Sequence, residues 1–204
     1  MIALVDYGAG NLRSVELALD RLGVPHRRAH DADGLRDASG VVLPGVGAAE
    51  SAMGELRARS LAEPLRSLDA PLLGVCLGMQ LLTESSDEGE AEVEGLGRIP
   101  GRTRRFAGDV RLPQIGWNRV RLRSGEPLFR GLGGEAWFYF LHGHRVVCED
   151  GHVTGRARYG EPFPAAIRHG RAAGVQFHPE KSGAAGLRVL ANFCAGCGEE
   201  TRAP

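Results

Sequence analysis

Short apolar runs alternate with helical periodicity through the first 85 residues. Ile2 to Val5 reads as a buried strand, after which Leu12, Val15, Leu19 and Leu22 recur at helical spacing until Gly23-Val24-Pro25 stops them. A weaker, polar strand fits near His26–Ala29, and Val41 to Leu43 is a second clear apolar run. Met53, Leu56, Leu61 and Leu65 predict a helical stretch, Pro71 introduces a third strand over Leu72 to Val75, and Met79, Leu81 and Leu82 open a helix reaching about Ser85. Strands alternating with helices predict a mostly parallel sheet covered on both faces, an α/β fold whose ligands bind beyond the strands' carboxyl ends. From about Val110 the texture becomes β-rich: Val120/Leu122, Trp137 to Leu141, Val146-Val147, Arg156–Tyr159, Ala165 to Ile167 and Ala173 to Phe177 read as strands extending the same sheet. A last helix carries Leu187, Leu190, Ala191 and Phe193 on its inner face. No linker, repeat or low-complexity stretch interrupts this order. The whole chain, 1–204, is read as one domain with a tail that frays after about residue 195.

Composition narrows the classes. Hydrophobic residues at 43% and charged residues at 25% are ordinary globular values, and equal counts of basic and acidic residues leave no footprint for nucleic acid or an anionic membrane. The apolar runs are too short to span a bilayer and no basic leader precedes the first strand, so a cytoplasmic location is expected. Four cysteines without such a leader argue against a disulfide framework. Cys194-x-x-Cys197 closes a helix, whereas a redox pair wants a helix N-terminus, and zinc would need further ligands. The acidic run after Ser85 and the arginines that follow read as solvated faces, Glu88 excepted.

The chemistry centres on Gly74-Val75-Cys76-Leu77-Gly78. Glycines two residues either side of a cysteine at a strand-to-helix turn are the thiol version of a nucleophile elbow: they let the backbones approach and lift the sulfur out of the core. Taken alone, the pattern favours a buried structural cysteine, since free cysteine is among the most buried residue types. Pro44-Gly45-Val46-Gly47 ends the preceding strand at the same sheet edge and can offer unobstructed N–H groups to an oxyanion. Of seven histidines, His142 and His144 sit in an aromatic strand and its turn, and His178 follows an apolar strand with Pro179 stiffening the turn. Glu180 can hold the His178 ring, giving a Cys–His–Glu set. Gly8-x-Gly10 suggests a dinucleotide site only weakly, because Arg13 stands at the third glycine position; Asn11 fits better as a helix cap.

Gly74 to Gln80 together with Gly174-Val175-Gln176-Phe177-His178-Pro179-Glu180 resembles the paired motifs of class I, triad-type glutamine amidotransferases. Asp6 to Ser14, Leu43 to Gly47, Gly95 to Gly101, Ile115-Gly116-Trp117-Asn118 and Pro179 to Ser182 are similar to the glutaminase subunits of imidazole glycerol phosphate synthase. The resemblance runs from residue 2 to about 193 in the family's order.

It implies a three-layer, flavodoxin-like fold and a subunit of histidine biosynthesis that hydrolyses glutamine to glutamate and ammonia. Ammonia passes to a (β/α)8-barrel cyclase partner, which makes imidazole glycerol phosphate and an aminoimidazole carboxamide ribonucleotide. Cys76, His178 and Glu180 are the implied catalytic residues, with Leu77 and Val46 or Gly47 as oxyanion donors. Gln80, Glu88, Gly45 and His142 are implied to meet the substrate, with Asp87 the rival of Glu88, and Lys181 and Asn11 to face the partner. No metal or cofactor is implied. Two departures stand out: Gly143-His144 replaces a Ser or Thr and a Tyr, and Gln114 precedes the Gly-Trp-Asn turn where relatives carry His or another residue. A different class I glutaminase, such as the one feeding pyridoxal phosphate synthesis, a non-catalytic docking subunit and a cysteine protease or redox protein are the weaker readings.

Overall fold

The structure, a computed structural model, describes residues 1–202. Strand β1 (Ile2–Val5), helix α1 (Leu12–Leu22), β2 (His26–Ala29), the short α2 (Ala32–Leu35) and β3 (Gly40–Gly45) come first. After them stand α3 (Ala49–Ala58), α4 (Ala62–Arg66), β4 (Leu72–Cys76) and α5 (Leu77–Leu81). The expected long helix over Met53 to Leu65 is therefore two, broken where Ser60 takes φ 56°. The elbow helix stops at Leu81 rather than near Ser85. Its last carbonyls are taken by the chain beyond, Leu96 N–H donating to Leu81 and Arg98 and Ile99 N–H to Leu82, while the Thr83 hydroxyl donates to Gln80 C=O at 2.7 Å.

The residues expected only as a solvated charge run instead supply β5 (Ser85–Ser86), β6 (Val93–Glu94) and β7 (Arg102–Arg105). Next come β8 (Gln114–Leu122), β9 (Glu135–His142), β10 (His144–Val147), β11 (Val153–Tyr159), β12 (Glu161–His169), β13 (Ala172–Val175) and α6 (Gly183–Gly196). The main sheet has the order β2-β1-β3-β4-β13-β12-β11-β8-β9. Its first five strands are parallel and the remainder antiparallel. Val146-Val147 does not extend it. That strand, β10, pairs with β7 in a separate sheet of order β10-β7-β5-β6, because the chain turns at Gly143 and sends Val146 into the opposite core.

Burial on both faces explains why the parallel strands read as unbroken apolar runs. Ile2 and Leu4 of β1 pack with α1 and α6, through Leu19, Leu22, Leu190 and Phe193; Ala3 and Val5 pack with α3 and α5, through Met53, Leu56 and Met79. The edge strand β2 is polar for a reason: Arg28 makes a two-pronged pair with Glu16 of α1, at 2.7 and 2.9 Å.

The tail expected to fray after about residue 195 is instead held as far as residue 202, where the description stops. The Glu199 carboxylate accepts from the Ser39 hydroxyl at 2.5 Å, and Arg202 N–H donates to Leu22 C=O at 2.8 Å. All four cysteines are free thiols, with burial pushing Cys194 up to about 12 and Cys197 to about 11. Among the described residues no helix is long and apolar enough to cross a membrane.

Candidate active site

The chain leaves β4 through Cys76 at φ 54° and ψ −111°, one of three non-glycine residues described with positive φ. Such a conformation costs about 1–3 kcal/mol and persists where its surroundings impose it. Here the imposition is steric. A Cβ on Gly74 would lie 2.6 Å from the Gly78 carbonyl, and one on Gly78 would lie 1.8 Å from Leu43 O. Strand and helix therefore meet backbone to backbone at both glycines, and Cys76, between them, is forced outward.

His178 and Glu180 follow β13, the parallel neighbour of β4, so both arrive at the same sheet edge as the elbow. The His178 ring gives Nδ1–H to Glu180 Oε1 at 2.8 Å, and both side chains are almost completely buried. Among the described residues, His178 Nε2 has no hydrogen-bond partner, and Cys76 stands near that side of the ring. Burial on its own would lower the His178 pKa. The proximity of Cys76, with the hydrogen bond to Glu180 and its charge, outweighs burial and raises it to about 10. The ring is thus held in its protonated form beside the Cys76 sulfur. Cys76 Sγ also lies 3.5 Å from Leu141 C=O and 3.7 Å from Gln176 Nε2.

A cavity of about 110 Å³ opens over this set, walled by Val46, Gly47, Leu77, Gln80, Glu88 and residues 141–144 among others. Larger open clefts, such as the one of about 370 Å³ beside Arg121 and Arg156, hold no cysteine. Gly47 holds φ 92° with open space where a Cβ would stand, so the turn is shaped by backbone conformation and not by crowding. Gly45 is different. It is buried, pairs with Cys76 across β3 and β4, and a Cβ there would meet Leu77 Cβ and Tyr7 Oη at 2.8 Å. It supports the floor and is absent from the cavity wall.

The remaining expected contacts are partly committed within the protein. Gln80 Nε2 donates to His144 C=O at 3.2 Å and Gln176 Oε1 at 2.9 Å. Burial holds His142 down at about 4, so the ring is neutral; its Nδ1 stands 2.6 Å from His144 C=O and Nε2 stands 3.0 Å from the Gln114 amide. Nδ1 must carry the proton to donate to the carbonyl, which leaves Nε2 an acceptor and requires Gln114 to turn its NH2 toward it. Asp87 accepts Arg105 N–H on its two oxygens, at 3.1 and 3.3 Å, whereas Glu88 lines the cavity.

Asn11 makes no side-chain cap to α1. Its Oδ1 accepts from the Ser14 hydroxyl at 2.8 Å, and its Nδ2 donates to Glu180 Oε1 at 3.3 Å, because the end of β1 lies beside the Glu180 turn. Lys181 stands exposed on that same turn. The sequence reading gave no role to Gln176, though a glutamine within the apolar run Gly174–Phe177 is a usable signal: a buried amide must find partners, and this one finds Gln80 and the sulfur.

The model of the family Glutamine amidotransferase class-I matches residues 3–197. A protein of Moorella thermoacetica, imidazole glycerol phosphate synthase subunit HisH, is 46% identical over 196 residues, which are 94% of this chain and 93% of that one. The HisH subunit of Halobacterium salinarum is 44% identical over 213 residues, 98% and 94% of the two chains. Among solved structures, a glutamine amidotransferase superposes with TM-score 0.76 at 22% identity, over 97% of this chain and 98% of that one. PurLQS of Thermotoga maritima superposes with TM-score 0.72 at 19% identity, over 96% and 97%. These two structures share the fold; the identity and coverage of the HisH relatives go further, and the chain belongs to the class-I glutamine amidotransferase family, among its HisH subunits.

Proposed function

We propose that this chain is the glutaminase subunit of an imidazole glycerol phosphate synthase, releasing ammonia from glutamine with a Cys76–His178–Glu180 triad. The observation that carries the mechanism is the buried Glu180–His178 contact at 2.8 Å with Cys76 on the other side of the ring. The thiolate attacks the side-chain amide carbon, and the carbonyl electrons move onto oxygen. Leu77 N–H and the Val46 or Gly47 N–H receive that oxyanion; each donor is worth about 3–4 kcal/mol of barrier. His178 gives its proton to the amide nitrogen, the C–N bond breaks, and ammonia leaves a thioester on Cys76. The now neutral ring takes a proton from water, hydroxide adds to the thioester, and glutamate departs with the thiolate restored. Glu180 keeps Nε2 aimed at the sulfur throughout, and Asn11 steadies Glu180.

The partner, a (β/α)8-barrel cyclase, would receive the ammonia. An exposed apolar face supports a docking surface beside the site. Ile115 and Leu141 pair across β8 and β9, Trp117 packs edge-on against Tyr139, and Trp137 is 58% exposed. The same β9 residue Leu141 presents its carbonyl to Cys76 Sγ, so a partner seated there touches the wall of the cavity. Lys181, on the turn adjoining β9, borders this face.

Glutamate release measured with and without the barrel partner carrying its nucleotide tests the assignment. Release is expected to rise sharply in the loaded complex and to vanish in Cys76→Ala. Persistent release by Cys76→Ala would remove the triad mechanism. Full release without any partner would remove the synthase assignment.

A further inference from the structure

We propose that His144 is a positioning residue for amino-acid recognition, aiming the Glu88 carboxylate at the α-ammonium group of the substrate. The inference rests on the glutaminase reading and names the part of that site which selects an α-amino acid over a plain amide. His144 Nδ1 lies 3.1 Å from Glu88 Oε1 and Nε2 lies 3.7 Å from Asp87 Oδ1, so the ring stands between two adjacent acids that would otherwise repel each other. Glu88 Oε2 accepts Ala49 N–H at 3.1 Å, two residues beyond Gly47. The carboxylate is therefore gripped from β10 on one oxygen and from the start of α3 on the other. Each oxygen keeps a further lone pair, and the side chain, 23% exposed, faces the cavity that also holds Cys76.

The ring itself is well fixed. His144 is 9% exposed, and its C=O accepts from both His142 Nδ1 and Gln80 Nε2. Its backbone is registered against Arg105 of β7, the residue whose N–H anchors Asp87. The ring beside Glu88 is thus tied through its own backbone to the two side chains, Gln80 and His142, that line the same cavity. A phenol at this position would have one hydroxyl to offer. An imidazole turns a nitrogen to each acid, which suits a pocket where one carboxylate must stay free to meet a cation.

The test compares glutamine with glutaramate, the same amide without the α-amino group, in the complex with the barrel partner. In His144→Phe, kcat/KM for glutamine is expected to fall about tenfold, chiefly through KM, the size of one lost polar contact to a carboxylate. The loss on glutaramate is expected to be several-fold smaller; if that amide turns over too slowly, its inhibition constant against glutamine is read instead. His144→Gln, which keeps one donor, repeats the comparison should the phenylalanine variant fold poorly, and is expected to lose less. Adding Glu88→Gln to His144→Phe is expected to cost less than Glu88→Gln alone. Equal losses on both amides, or full additivity of the two substitutions, would overturn the role of His144. Wild-type complex that hydrolyses no glutamine would remove the glutaminase reading and this inference with it.

Discussion

Replacing Gly78 by alanine sets two physical effects of opposite sign against each other. Gly78 is the second residue of α5, and by helix propensity alone an alanine there gains about 1 kcal/mol. The structure predicts the reverse. The new Cβ would stand 1.8 Å from Leu43 O and 2.9 Å from Leu43 C, far inside the roughly 3.5 Å at which such atoms rest. Neither side can yield cheaply. Leu43 is fully buried in β3, hydrogen-bonded within a strand that has neighbours on both sides, and a Cβ on Gly74 beneath would already touch the Gly78 carbonyl. Overpacking of a core costs about 1–3 kcal/mol, and a backbone-to-methyl collision belongs at or above the upper end. After the propensity gain, a net loss of about 2–3 kcal/mol remains. For a chain of this size that is a fall in Tm of about 5–10 °C. Gly143→Ala is the control, since its Cβ would meet nothing within 4 Å. Urea unfolding and calorimetry of both variants decide the matter. A Gly78→Ala protein as stable as the parent, or more so, refutes the close approach from which the strained Cys76 backbone is derived.

Three further outcomes are expected. A folded-state His178 raised from 6.5 to about 10 contributes stability that is complete below about pH 6.5 and is lost as pH rises through about 10; ring titration by NMR is expected to move down in Cys76→Ala, and an unmoved midpoint would contradict the influence of Cys76 on the ring. His142, held down at about 4, works oppositely: its stabilisation is present above pH 6.5 and lost as pH falls through about 4, a change of about 3 kcal/mol that urea unfolding of His142→Gln is expected to flatten. Gln176→Leu takes an N–H from the sulfur and an acceptor from Gln80, so a fall of at least tenfold in kcat and a stability loss of about 1–3 kcal/mol are expected, an unchanged kcat being the contrary result.

What the sequence disclosed and what it withheld divide along contact range. The parallel half was legible because each strand is buried on both faces and so is written as an uninterrupted apolar run. The elbow was legible because backbone contact at Gly74 and Gly78 permits no side chain, and glycine records that in the chain itself. Glu180 was legible as the partner of His178 because two residues separate them. Contacts between distant, polar stretches leave no such record. Glu88, in the loop after β5, meets His144 of β10 at a second sheet, most of whose other strand residues read as solvated charge because β5, β6 and β7 are short and alternate in exposure. Asn11 looked like a helix cap since asparagine before an apolar periodicity usually is one; the turn after β13 offers its amide a buried carboxylate instead. The early end of α5 is not legible for a related reason, because it is set where the N–H groups of Leu96, Arg98 and Ile99 take the carbonyls of Leu81 and Leu82.

The positive φ at Cys76 has a bearing on how variants of this protein are to be judged. Glycine would adopt the same backbone angles with no Cβ to accommodate, so Cys76→Gly releases conformational stress while destroying the reactive sulfur. Resistance to heat and catalytic competence therefore pull in different directions at this one position. A search for hardier versions guided by melting temperature alone would drift toward discarding the nucleophile, and a folded, robust chain is no certificate that the chemistry survives.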